Sequence, residues 1–323
     1  MQHQYKMLRD VSRTFALSIE HLPAIVRDAI TTAYLLLRVS DILEDHPDIL
    51  ADRKAYLLRL WAQILSGKAP LSDLTSRIAN LDGSDPEVAV AQNAAQVIEA
   101  LRQLPKTLQD ALVTRINRTS LGMARWQEHG PFVEDEAALD DYMHQVAGRV
   151  GYLITDVFAW HSAEIAAKKD GLMPLSREYG LALQTVNVIR GMLSDYRRGW
   201  VFVPESFMAQ VGLTRDTFFL PENGARALKI VTILANKADR HLRHGLDYIM
   251  AMPPDEHEIR LACMWPLFFA VKTLAVSRNN INVIRNEVKM TRQDVENILQ
   301  QTIARGNSNE WLREYYEQLA SSS

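Results

Sequence analysis

Apolar residues recur at steps of three and four along almost the whole chain, the spacing that lines one face of an α-helix. The pattern predicts helices over 23–45, 50–66, 86–104, 107–128, 136–164, 177–199, 223–251, 257–280, 291–304 and 308–319. Gly and Pro clusters separate them, at Gly67 to Pro70, Gly83 to Pro86, Gly130-Pro131 and Pro253-Pro254. Thr291 with Asp294 forms an N-terminal box for one late helix, Asp standing in for the usual Glu. Strand-like alternation is nearest in WVFVPE, residues 200–205, and Pro204 ends it. There is no fixed-period repeat, and the only low-complexity segment is the Ser321 to Ser323 tail. The expectation is one all-α domain spanning residues 1–323.

One helix departs from the simple amphipathic pattern. The stretch YLLLRVSDILED, residues 34–45, is apolar along most of its length and ends in three carboxylates. Positions 34, 38, 41 and 45 follow steps of four, three and four, so Tyr34, Arg38, Asp41 and Asp45 share a face. A solvated helix end is the plain account. Acids at a helix C-terminus oppose the macrodipole, however, so they gain nothing there. Carboxylates one turn apart do converge on hard divalent cations, and Mg²⁺ commonly takes one or two of them together with substrate phosphates. A second stretch, NVIRGMLSDYRRGWVFVPE at 187–205, puts Asn187, Gly191 and Asp195 on one face. Taken alone it reads as an ordinary helix end whose dipole is compensated by Arg197 and Arg198.

Composition narrows the setting. The 323 residues are 47% hydrophobic, enough for a large core. The 36 basic and 39 acidic residues are well mixed, giving a net charge of −3, and no basic stripe suggests a nucleic-acid partner. Cys263 is the only cysteine, which rules out an internal disulfide and suits a reducing, cytoplasmic setting. The N-terminus MQHQYKMLRD lacks a signal-peptide core. No uncharged apolar run reaches the length of a membrane span. The longest, CMWPLFFAVKTLAV, contains Pro266 and Lys272 and reads as a core helix or an apolar wall.

Taken together, the motifs resemble the squalene/phytoene synthase family, the head-to-head prenyl diphosphate synthases. DVSRTFALSIEHLP (10–23) is similar to that family's N-terminal substrate segment, and YLLLRVSDILED to its first Asp-rich motif. DYMHQVAGRVG (141–151) resembles its tyrosine-bearing helix, and 187–205 stands where its second Asp-rich motif belongs. CMWPLFFAVKTLA (263–275) and VKMTRQDVENIL (288–299) resemble its closing helices. The resemblance implies an isoprenoid-synthase helical bundle with a central cavity, its two Asp-rich helices facing one another. It implies Mg²⁺ held by Asp41, Asp45 and Asp195, with Glu44 coordinating or supporting. Ser12, Arg13, Arg38, Asn187 and Arg190 would bind a prenyl diphosphate, and Phe15 and Tyr34 would line its chain. Tyr142 matches the tyrosine proposed to assist proton removal or cation stabilisation. NADPH stays open, since members that use it lack a dinucleotide fingerprint. No spanning anchor is expected, with peripheral membrane contact left open.

The second motif departs from the family's N-x-x-R-D-x-x-E-D. Gly191 replaces the leading Asp, Ser194 replaces Glu, and Trp200 follows Gly199 where Arg is the rule. The loss weakens or removes a metal position, opens volume at Gly191 and adds an aromatic surface at Trp200. Three readings follow. The first is head-to-head coupling of two C15 or C20 diphosphates to a squalene- or phytoene-type product. The second transfers one prenyl group to a non-isoprenoid acceptor, such as an aromatic or heteroaromatic nucleophile. The third is a non-catalytic helical partner protein.

Overall fold

The three-to-four spacing is realised as helix throughout. A computed structural model describes residues 1–286 and 288–321, the Arg13 side chain excepted, and contains no strand among the described residues. In WVFVPE, residues 200–204 are a non-helical connection outside any strand and Glu205 opens the helix Glu205–Gln210. The tail beyond Ser321 lies outside the described residues.

Boundaries differ from the sequence expectation where local chemistry intervenes. Residues Gln2–Val11 and Arg13–Glu20 form two further helices, the second capped by the Ser12 hydroxyl, which accepts from the Phe15 N–H at 3.2 Å. The 86–104 element is broken at Asn93 into Pro86–Gln92 and Ala94–Gln103. The 136–164 element contains a π-helical turn, His144–Gly148, between Glu136–Met143 and Arg149–His161. The 177–199 helix starts earlier and runs Ala163–Arg197, with Pro174 inside it. The Thr291–Asp294 box forms as expected, with Asp294 N–H donating to the Thr291 hydroxyl at 3.1 Å.

The chain divides into two compact units, residues 1–130 with 152–169, and residues 131–151 with 170–323. In the first unit the Ala24–Asp45 helix is central. Helices Gln2–Val11, Ala51–Leu65, Pro86–Gln92, Ala94–Gln103 and Lys106–His129 all pack on it. Its apolar residues Leu35, Leu36, Val39 and Leu43 are fully buried, as the sequence pattern requires.

In the second unit the central helix is His257–Ser277, packed by Gly224–Ala251, Arg292–Arg305 and Asn309–Ser321. It is the one described helix long and apolar enough to cross a membrane. With 89% of its most apolar stretch buried, it is a core helix here. Its buried Arg260 is held by the carbonyls of Met252 and Gly306 and by Asn309 at 2.6 Å, which offsets the cost of enclosing a charge.

Candidate active site

In the first unit, the Ala24–Asp45 helix is braced so that its acidic end is held in place. Trp61 Nε1 donates to the Leu36 carbonyl at 3.3 Å, and the Ser40 hydroxyl meets that of Ser120 at 2.8 Å in a buried contact. Lys54 Nζ donates to the Glu44 carbonyl at 2.6 Å, satisfying one of the acceptors a helix end leaves open.

The shared face is present. Arg38 Nη2 donates to the Tyr34 hydroxyl at 2.6 Å, and its guanidinium carbon lies 5.3 Å from the Tyr34 ring centre. Arg38 Nη1 lies 3.3 Å from Asp41 Oδ2 and 3.6 Å from Glu87 Oε1. Burial works against its charge, but Asp41, Tyr34 and Glu87 together hold its pKa above the ordinary value. Phe15 is exposed, with its ring 6.0 Å from that of Tyr34. The Ser12 hydroxyl is engaged as a helix cap, so contact with a diphosphate would have to share it. The Arg13 side chain lies outside the described residues.

Asp41 and Glu44 are poorly neutralised. Burial, opposed by Arg38 and reinforced by Asp45 and Glu87, pushes Asp41 up to about 6. Glu44 is 6% exposed, and burial together with Asp45 and Asp41 holds it well above the usual carboxylate range, despite a hydrogen bond with Gln127 and the charge of Lys54. Asp45 is exposed at the helix end. Hard oxygen donors crowded to this degree suit a divalent cation, which would relieve the repulsion that Arg38 leaves. Among the described residues no three Asp, Glu, His or Cys side chains are gathered to hold a metal by themselves. A metal here therefore needs substrate oxygens as well, the usual arrangement for Mg²⁺.

In the second unit, the Glu136–Met143 helix and the π turn lie close against Ala163–Arg197. A Cβ on Gly180 would stand 2.4 Å from the Ala147 carbonyl oxygen, so only glycine permits the approach. Thr185 Oγ1 bonds Met143 Sδ at 3.1 Å across the same contact. Tyr142 is buried and stacks on Phe202 at 4.4 Å with 18° between planes. Phe202 stacks in turn on Trp200 at 5.4 Å and 18°. One face of Trp200 is therefore covered by the protein's own ring.

The second motif differs from the first. Asn187 and Arg190 are exposed. Asp195 Oδ1 is paired with Arg198 Nη2 at 2.6 Å, and the Ser194 hydroxyl donates to the Gly191 carbonyl at 2.7 Å. A Cβ on Gly191 would stand 3.3 Å from Asp195 Oδ2, a tight contact. The space expected at Gly191 is thus partly taken by the Asp195 carboxylate folding back over it.

The profile described as squalene/phytoene synthase matches residues 8–294. The chain belongs to the squalene/phytoene synthase family. It is 30% identical to the squalene synthase of Nicotiana benthamiana over 304 residues, 92% of this chain and 69% of that one. With squalene synthase 1 of Arabidopsis thaliana it shares 28% over 312 residues, covering 92% and 70%. Its fold is that of TcSQS solved with a ligand, TM-score 0.84 at 23% identity, covering 99% of this chain and 90% of that one. A crystal structure of a dehydrosqualene synthase aligns with TM-score 0.60 at 16% identity, covering 94% and 95%. Membership makes the chain a prenyltransferase of isoprenoid biosynthesis, in a family that couples prenyl diphosphates head to head.

Sequence reasoning missed Lys54, Glu87, Gln127, Phe202 and Arg198 as partners of site residues. Only Arg198 carried a signal, since i and i+3 on a helix are neighbours. Gln127 and Glu87 reach Glu44 and Arg38 from distant segments, which no local spacing announces.

Proposed function

We propose that this family member is a Mg²⁺-dependent prenyltransferase that ionises a C15 or C20 allylic diphosphate and joins it head to head with a second. The observation that carries the reading is the pair of carboxyls Asp41 and Glu44, each held above the usual carboxylate range by burial and by the neighbouring acids, with Arg38 beside Asp41 at 3.3 Å. Asp41 and Asp45 would hold the metal and Glu44 would support them from below. When bound, the metal withdraws charge from the diphosphate leaving group. In the first unit Arg38 offers fixed positive charge suited to diphosphate oxygens, with Ser12 and Arg13 as further contacts, and in the second unit Arg190 and Asn187 offer the same. Phe15 and Tyr34 offer ring surface to the prenyl chain. Tyr142, fixed by stacking, would take or orient a proton near the allylic cation.

A second reading, transfer of one prenyl group to a different acceptor, is supported by the second motif, where Asp195 pairs with Arg198 and two carboxylates are replaced. The covered face of Trp200 speaks against stacking an aromatic acceptor on that side. The test is incubation with C10, C15 and C20 allylic diphosphates, Mg²⁺ and NADPH, followed by mass spectrometry. A C30 or C40 product supports head-to-head coupling. Pyrophosphate release without such a product moves the assignment to another acceptor.

A further inference from the structure

We infer that Arg198 takes, at the second motif, the place that a divalent metal takes at the first, so that this chain binds metal through Asp41 and Asp45 and not through Asp195. The inference rests on the reading of the first motif as the metal site. Asp195 is the one carboxylate among the motif positions 187, 190, 191, 194 and 195, and it is paired with Arg198 at 2.6 Å. Its side chain is 14% exposed, less than the 39% of Arg198. The neighbouring oxygen that replaces a carboxylate, Ser194 Oγ, is turned onto its own helix by its 2.7 Å bond to the Gly191 carbonyl.

The pair is set by the helix-closing turn. The Arg198 N–H donates to the Ser194 carbonyl at 3.2 Å, and the Trp200 N–H to the Asp195 carbonyl at 2.9 Å. Gly199 follows with a positive φ of 85°, and Arg215 bonds its carbonyl. The next turn of chain is held by the Trp200–Phe202–Tyr142 stack.

Charge gives the same answer. The first motif sets Asp41, Glu44 and Asp45 against Arg38. The second sets Asp195 against Arg190, Arg197 and Arg198, a net excess of positive charge where the first has a net excess of negative. Arg190 and Arg197, seven residues apart and so on one face, are exposed and form no ion pair among the described residues. Mg²⁺ gives up its waters reluctantly and gains little from one carboxylate and an alcohol. An anionic group arriving at this end of the helix, a diphosphate or a carboxylate, meets guanidinium groups directly.

The test counts bound Mn²⁺ by electron paramagnetic resonance on the full chain with inorganic pyrophosphate present. Asp41→Asn should weaken Mn²⁺ binding by about tenfold or more, while Asp195→Asn leaves number and affinity unchanged. Loss of a bound Mn²⁺ in Asp195→Asn, alongside loss in Asp41→Asn, overturns this inference and leaves the first-motif reading standing. Binding insensitive to Asp41→Asn overturns both. With metal chelated, calorimetry should show pyrophosphate binding that falls about tenfold in Arg190→Ala/Arg197→Ala. Unchanged binding in that variant overturns direct guanidinium contact.

Discussion

Replacing Asp41 by Asn should stabilise the metal-free protein while removing its activity. The folded-state pKa of Asp41 is about 6 against an ordinary 3.8, so at neutral pH its ionised form is held against the preference of its surroundings. About two pKa units correspond to about 3 kcal/mol at face value. With 37% of the side chain open to water, screening reduces the effect to about 1 kcal/mol. The sign follows from proton binding. The folded state holds this proton more tightly than the unfolded chain, so stability falls as pH rises from 3.8 through about 6. Asn cannot ionise and escapes that loss, while Arg38 keeps Glu87 at 3.6 Å and the Tyr34 hydroxyl at 2.6 Å. Scanning calorimetry in EDTA at pH 7 should place Asp41→Asn about 2 °C above wild type, with the difference vanishing near pH 4. Mg²⁺ with pyrophosphate should raise the melting temperature of the wild type clearly more than that of the variant. A variant less stable than wild type in EDTA, or one stabilised equally by Mg²⁺ and pyrophosphate, would refute the reasoning.

Other outcomes follow from the same contacts. Tyr142→Phe keeps the ring on Phe202 and should cost no more than about 1 kcal/mol of stability while losing most turnover; retained turnover would return Tyr142 to the core. Phe202→Ala removes the middle ring of the stack and should cost about 3 kcal/mol in urea unfolding, with Phe202→Tyr restoring most of it. Lys54→Met deletes the bond to the Glu44 carbonyl and should lower stability by about 1 kcal/mol in urea unfolding, together with Mg²⁺ affinity in a titration. The triple change Gly191→Asp, Ser194→Glu and Arg198→Gln should create a new Mn²⁺ site visible by resonance, whereas Gly191→Asp alone crowds Asp195 and should only destabilise.

The helical class, the positions of the long helices and the polar stripe at 34, 38, 41 and 45 were set by the sequence itself, because each depends only on three- and four-residue spacing. Order and identity of the motifs, including the substitutions at Gly191, Ser194 and Trp200, were equally legible. The first two helices were missed, their polar residues and the Ser12 cap between them masking the period. The extension of the motif helix back to Ala163, through Gly171 and Pro174, was missed; both residues weaken a helix by themselves, and one with neighbours to pack on tolerates them. Only tertiary structure decided how each carboxylate is neutralised. Glu44 is buried by packing, Arg38 is shared with Glu87 from another helix, and Phe202 fills the space between Trp200 and Tyr142. Charge and ring partners come from distance in space, and an amphipathic pattern fixes which face a residue occupies without naming what that face will meet.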